Sequence, residues 1–412
     1  MLYGISGTDT PPGAYLDRLD INYISSGGAQ TPTSGWGHSV DAYKARFATV
    51  VQDAKRIHAR GGVQVIKISD LWGADATQPP NFPYPGDNGD WSSYDRFIQQ
   101  LISDVKSSGV AINECTQLEP YNEPDLPNLF WRRSQEQYLQ MWLRGTRALR
   151  AAFPKGSRTF LPIVGPSAAM LPGPSNMWWK NFLSTLRDNR DTEPDIWNFH
   201  LEGGDSNDPV AATKLFKQAF AEYGLTGGIG FENNEYGSRE QQRPGFGAWH
   251  AARYEKVKYH GLRGNWVGGA LLRDNLADLL FKDAGGKYHT TGEFQEWATY
   301  VRLSGSPCNT TEGTSVDTYG IATPANKTAS ALVGNQGFNG TVNVVFSSIT
   351  SLGSSINMVM AVVYRIPYDD GREVTGLTQV LSMTIRVSQD QVTVPIQQTN
   401  ADDAYLVTIL AA

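Results

Sequence analysis

Only two cysteines, Cys115 and Cys308, stand in this chain of 412 residues. Two cannot make a disulfide framework or a four-cysteine zinc site. They could pair with each other in an oxidising compartment or stay as two buried thiols, and sequence supplies no distance to choose between these. Histidine is scarce as well, at six, and no HExxH arrangement occurs. A metalloprotease is therefore disfavoured, and no metal or cofactor is expected. Positive charge is in short supply: 35 Lys and Arg face 41 Asp and Glu, a net charge of −6. A protein that tracks nucleic acid needs a concentrated basic surface, so no nucleic-acid partner is expected. No apolar run reaches the roughly 18 residues of a membrane span, so no membrane partner is expected either.

What is plentiful is glycine (42), proline (22) and tryptophan (11). This describes a loop-rich protein with many flat apolar rings. About half of the tryptophans are expected in the core, and the others suit stacking on sugar faces. Hydrophobic residues at 40% and charged residues at 18% mark a globular chain. Its length exceeds one ordinary domain and suits a large barrel with a smaller module.

Periodicity divides the chain into alternating strands and helices. Strands are expected at 2–7, 21–28, 63–72, 115–125, 159–167, 195–203, 228–237 and 265–274. Helices are expected at 40–60, with Ser39 as N-cap, and at 94–109, 134–153, 178–189, 211–224, 248–261 and 292–305. Eight such units over about 300 residues are the arithmetic of an α/β fold of the (β/α)8 TIM barrel type. An open doubly wound sheet is disfavoured, because no GxGxxG or Walker loop follows the first strand. The barrel is assigned to residues 1–304. Beyond residue 305 there is no tryptophan, and short Val, Thr, Ser and Ile runs are split by turn signals such as Asn339-Gly340. Residues 305–412 are therefore assigned to an antiparallel β-sandwich, to which the N-terminus could lend a strand. Three sequons, at Asn309, Asn326 and Asn339, fall in this region. They point to N-glycans on a secreted protein whose signal has been removed. The acidic loop Glu202-Gly-Gly-Asp205-Ser-Asn-Asp208 lacks calcium-loop spacing and is expected to be solvated.

In a (β/α)8 barrel the chemistry sits at the C-terminal ends of the strands. Glu123 ends the fourth expected strand in Leu-Glu-Pro-Tyr-Asn-Glu-Pro-Asp, and Glu232 and Glu235 lie on the seventh in Phe-Glu-Asn-Asn-Glu-Tyr-Gly. Strands four and seven face each other across a barrel mouth, so their carboxylates can flank one bond. Hydrolysis of a glycosidic bond needs such a pair, one carboxyl to protonate the leaving oxygen and one to attack or to activate water.

Asn122-Glu123-Pro124 on strand four with a second Glu on strand seven resembles the glycoside hydrolases of clan A. The stretch LEPYNEPDLPNLFWRRSQEQYLQMWLRGTRALRAAFP is similar to the matching part of family 39. The resemblance extends to GPS on strand five, His200 on strand six and Glu-Tyr-Gly after strand seven, and is clearest over residues 91–305. It implies a retaining hydrolase acting on a poly- or oligosaccharide by double displacement. Glu123 would be the acid/base, Glu235 the nucleophile, and Asn122 the partner of the sugar 2-hydroxyl. Glu235 is preferred to Glu232 because it lies nearer the strand end and because Asn-Glu-Tyr-Gly fits the clan's nucleophile context better. In the clan a strand-six His touches the nucleophile region, so His200 would bind there or else be structural. Tyr236 would hydrogen-bond the nucleophile or cap the pocket. At the end of strand three Asp70 would bind substrate, and Trp72 would stack a sugar or else pack under the following loop. The clan's strand-eight tryptophan is missing: that position reads Leu-Leu-Arg273-Asp274. Arg273 would favour an anionic sugar, or else pair with Asp274. Two competing readings remain, a non-catalytic carbohydrate-binding barrel and a polysaccharide lyase acting on uronic acids. Retention of both Glu123 and Glu235 argues against the first.

Overall fold

The computed structural model describes residues 2, 3, 5, 11–113, 115–202, 207–225, 228, 230–264 and 275–411. The long helices arise where the sequence places them. Val40–His58 begins as the Ser39 hydroxyl accepts the Ala42 N–H, and buries Tyr43, Phe47, Val50, Ala54 and Ile57 on one face. Helix Gln135–Ala152 is capped by Ser134, and Met177–Asp188 by Asn176. Helix Pro209–Tyr223 starts with Asp208 as cap and proline in its first turn, and stops at Gly224.

The chain forms two compact units. The first comprises residues 1–12, 21–238 and 259–277. It is mixed α/β, and its described residues hold eight strands in two parallel four-stranded sheets. One sheet orders β1 (Leu2–Tyr3), β2 (Tyr23–Ser26), β3 (Val63–Lys67) and β4 (Thr116–Glu119). The other orders β5 (Val164–Ala168), β6 (Ile196–Phe199), β7 (Gly230–Tyr236) and β8 (His260–Arg263). Leu118 of β4 bridges in parallel to Ile163, just before β5. The sheets share an interior: Val65 of β3, Val164 of β5 and Ile196 of β6 form one buried cluster, with Tyr23 of β2 packed against it. The Tyr23 hydroxyl spans this interior, touching Gln117 of β4 at 2.6 Å and Glu232 of β7 at 2.5 Å.

Several boundaries differ from expectation. The third strand stops at Lys67, and Ile68–Trp72 coils into a short helix. That helix ends at Gly73, where a left-handed backbone passes so close to the Ser34 carbonyl that a Cβ would overlap it. The helix expected through residue 261 ends at Val257, and the following residues form β8. The eighth strand is therefore 260–263, paired with β7, whereas 265–274 lies outside the described residues. The N-terminal strand pairs not with the second unit's sheets but with β2, through Leu2 and Tyr3.

The second unit comprises residues 13–20, 239–258 and 278–412. The expected division at 304 was a single cut in sequence, whereas the compact units interleave. Gly13–Arg18, Pro244–Val257 and Gly292–Tyr300 are helices of this unit. A short hairpin joins β9 (Leu280–Lys282) and β10 (Tyr288–Thr290). The main antiparallel sheet has the order β11 (Ser306–Pro307), β12 (Val316–Thr323), β13 (Thr328–Asn335), β18 (Ala404–Ala411), β15 (Met358–Ile366) and β16 (Thr378–Arg386). A second pair is β14 (Gly340–Ser347) with β17 (Gln391–Gln398). Alternate residues of both sheets bury one core. Ala329, Val333, Val359, Val363, Val407 and Ile409 come from the larger sheet, and Val344, Val392, Val394 and Ile396 from the smaller. Asn309, Asn326 and Asn339 are all exposed. Cys115 and Cys308 are both free thiols. No helix among the described residues is long and apolar enough to cross a membrane.

Candidate active site

The loop after β4 places Glu123 by backbone bonds. Glu123 adopts a left-handed φ of 42°, and its N–H donates to the Ser167 carbonyl at 2.9 Å. Asp125 accepts the N–H groups of Ala169 and Met170, each at 2.8 Å. The loops beyond β4 and β5 are thus tied together. A left-handed non-glycine residue costs on the order of 1 kcal/mol or more, and such bonds hold it in place.

Glu235 reaches the same place through an irregular strand. Glu232 and Asn234 alternate towards the interior along β7, so regular pleating would turn Glu235 away. The register with β8 shifts between Asn233 and Tyr236, which lets Glu235 face inward as well. It lines a cleft together with Tyr3, Lys67, Asp70 and Asn122.

The carboxylates meet around two cations. His200 Nδ1 stands 2.8 Å from Glu123 Oε1 and 3.6 Å from Glu235 Oε2. One oxygen of Glu123 and one of Glu235 lie within 4.8 Å of each other and of a His200 nitrogen. The Lys67 ammonium makes a short contact with Glu235 Oε1, donates to Asn122 Oδ1 at 2.6 Å and lies 3.8 Å from Glu119 Oε1. Burial opposes the charge on His200, but Glu235 and Glu123 outweigh it and raise its pKa to about 9. Burial likewise disfavours the charged Lys67, yet Glu119 and Glu235 hold it firmly protonated. Burial would raise Glu235, but Lys67 and His200 keep it below the ordinary carboxylate value. Glu202, just past β6, behaves oppositely. Burial and the charges of Glu235 and Glu123 push it well up, and it hydrogen-bonds Glu235. Gly264 accommodates it, since a Cβ there would overlap Glu202 Oε1.

Beneath these groups lies a buried polar floor. Asn234 donates to Glu119, while Asn198 donates to Asn234 Oδ1 at 2.6 Å and to Ser167 Oγ at 2.7 Å. Burial also raises the pKa of Glu119. Glu123, His200 and Glu235 could in principle ring a metal ion. Lys67 already contacts Glu235, and His200 Nδ1 stands 2.8 Å from Glu123, so a cation there would have to displace both contacts.

Glu123, Glu235, Asn122, His200 and Asp70 are thus gathered in one place, with Asp70 bonded to the Tyr3 hydroxyl. Glu232 is 0% exposed and faces Tyr23, whereas the Glu235 side chain is 22% exposed. Tyr236 is buried, and its carbonyl accepts the Gly264 N–H at 2.8 Å. Trp72 does not line the cleft. It is 3% exposed, packs against Tyr94 and Phe97, and donates to the Pro83 carbonyl at 3.0 Å. The helix after β3 turned it into the core. Trp72→Ala is therefore expected to cost about 3–5 kcal/mol of stability, read by denaturant unfolding, with the KM of the folded fraction unchanged. Arg273 lies outside the described residues.

Sequence reasoning missed Lys67, Glu202, Glu119, Asn198 and Asn234. Lys67 did carry a signal, because a lysine between Ile66 and Ile68 in an expected interior strand needs a buried partner. Glu202 follows His200 at strand spacing, which places both side chains on one face.

No family model matches the sequence, and no curated protein matches it. Solved structures do. A protein from Neocallimastix frontalis is 20% identical with a TM-score of 0.74, covering 97% of this chain and 91% of its own. A glucosidase from Croceicoccus marinus is 12% identical with a TM-score of 0.64, covering 100% and 96%. The GH39 enzyme from Xanthomonas axonopodis pv. citri is 12% identical with a TM-score of 0.61, covering 100% and 94%. The chain therefore shares the fold of these solved structures.

Proposed function

We propose that this protein is a retaining glycoside hydrolase, with Glu123 as acid/base and Glu235 as nucleophile. The observation that carries the reading is the pair itself. One oxygen of each carboxyl lies within 4.8 Å of the other, with Glu235 lining a cleft and held anionic by Lys67 and His200. Retaining enzymes separate their carboxyls by about 5–5.5 Å, inverting ones by about 6.5–9.5 Å. We further read the two parallel sheets as one closed (β/α)8 barrel. The Leu118–Ile163 bridge and the side chains shared across the interior support this. The second unit is read as a β-sandwich. The fold shared with a glucosidase and a GH39 enzyme agrees with the activity.

In the first step a Glu235 oxygen attacks the anomeric carbon as the bond to the leaving oxygen breaks, and Glu123 gives that oxygen its proton. In the second, Glu123 takes a proton from water, whose oxygen attacks the same carbon and frees Glu235. His200 hydrogen-bonds Glu123 at 2.8 Å and orients it between the steps. Asn122 lines the cleft where the sugar 2-hydroxyl would sit. Secretion and N-glycans at Asn309, Asn326 and Asn339 belong to the same proposal, and the exposure of all three agrees with it.

The test is sugar release from a panel of neutral and acidic polysaccharides, followed by NMR of the first-formed product. The expected product keeps the anomeric configuration of its substrate. Inversion would sink the double-displacement route. Release of an unsaturated, ultraviolet-absorbing product would instead establish a lyase, and tight glycan binding without release a binding protein.

A further inference from the structure

Lysine is almost never fully buried unless paired. Lys67 is 2% exposed at the end of β3, and its ammonium faces three groups of the site. One donor goes to Glu235 Oε1, one to Asn122 Oδ1 at 2.6 Å, and Glu119 Oε1 stands 3.8 Å away. We propose that Lys67 is a positioning residue for catalysis, locking the Glu235 carboxylate in its attacking orientation and turning the Asn122 amide so that its NH2 group serves the substrate. This rests on the glycosidase reading above.

The argument for Asn122 is one of donors and acceptors. An ammonium has only donors, so it takes the amide oxygen and leaves the two N–H bonds for the cleft. Asn122 then recognises an acceptor, such as a sugar hydroxyl oxygen. The argument for Glu235 is one of charge. Glu119 and Glu123, from and after β4, Asp70 after β3 and Glu202 after β6 all crowd it with carboxyl groups. Arg46 acts on Asp70, and the cations set about Glu235 among the described residues include His200 on the β6 side, Lys67 on β3 and Arg263 on β8, which lines the same cleft. Of these three, Lys67 touches both the nucleophile and the amide that flanks it.

The test has one arm without substrate and one with it. In the first, the Glu235 side-chain carboxyl is titrated by 13C NMR in the wild type and in Lys67→Met, assigned by its disappearance in Glu235→Gln. The midpoint should rise by about one pH unit or more in Lys67→Met, because an opposing charge is lost. An unchanged midpoint overturns the proposal. In the second arm, dinitrophenyl β-xyloside and β-glucoside are offered to wild type and Lys67→Ala. The variant should lose about 100-fold or more in kcat, with partial return on adding ethylammonium, which can refill the vacated charge site. Undiminished turnover by Lys67→Ala overturns the proposal. A midpoint that rises while the wild type cleaves neither glycoside keeps the hold on Glu235 and counts against the glycosidase reading alone. If Lys67→Met does not fold, Lys67→Arg decides. It keeps the charge but presents a planar fork. It should preserve the low Glu235 midpoint while lowering kcat, and wild-type kcat and KM together would overturn the proposal.

Discussion

Glu235→Gln is expected to lower glycoside cleavage by on the order of 10^4-fold or more, because no covalent intermediate can then form. Glu123→Gln is expected to lose about 10^2–10^4-fold on a natural substrate. It should lose far less on a dinitrophenyl glycoside, whose leaving group departs without a proton. Glu123→Ala should also be rescued by azide on that substrate, since removing the side chain opens space for a small anion beside His200. The control is Glu232→Gln. That carboxyl is fully buried against Tyr23, so its loss should leave turnover within about an order of magnitude. Steady-state kinetics of these variants on a natural substrate and on one dinitrophenyl glycoside checks all of this. Normal turnover by Glu235→Gln, with collapse in Glu232→Gln, would move the nucleophile to Glu232 and refute the assignment.

The second large effect is on stability, and it depends on pH. Burial raises Glu232 from 4.5 to about 8 and Asp70 from 3.8 to about 7. In the unfolded chain both ionise near their ordinary values. Between about pH 4 and pH 8 the folded state therefore binds more protons than the unfolded one, and stability falls as pH rises. His200 acts in the same direction. Its raised pKa of about 9 gives stability that is complete below 6.5 and lost as pH climbs through 9. A pKa displaced by one pH unit on folding is worth about 1.4 kcal/mol, so Glu232 alone forfeits on the order of 3–5 kcal/mol across its window. Glu232→Gln stays neutral at every pH and should flatten this slope. Near pH 4 its Tm should match the wild type, and at pH 9 it should lie several degrees above. Parallel Tm profiles for the two proteins from pH 4 to pH 9 would refute the assignment.

The same carboxyls show what kind of information a sequence carries. The alternation of Val63–Lys67, Thr116–Glu119 and Ile196–Phe199 with capped amphipathic helices is local, so the eight-strand arithmetic could be read from spacing alone. Asn122-Glu123-Pro124 at a strand end, and a second Glu on the seventh strand, were legible for the same reason. Boundaries were less so. Where Ile68–Trp72 leaves the strand and coils, the outcome rests on Gly73 fitting against Ser34, which is a long-range matter. That one turn moved Trp72 from the expected sugar face into the core.

The order of elements, the change of texture near residue 305 and the pair of candidate carboxylates were all written in the chain's local chemistry. They depend on periodicity, turn residues and composition, which act between near neighbours. Which carboxyl carries charge was settled by tertiary contacts alone. Glu119, Glu202, Glu232 and Glu235 are the same residue type, so nothing local separates them. The bulge in β7, the reach of Lys67 from β3 and the loss of water around Glu232 set them apart. The physical reason is that a pKa is fixed by desolvation and by charges within a few ångströms, and folding brings those from residues far away in the chain.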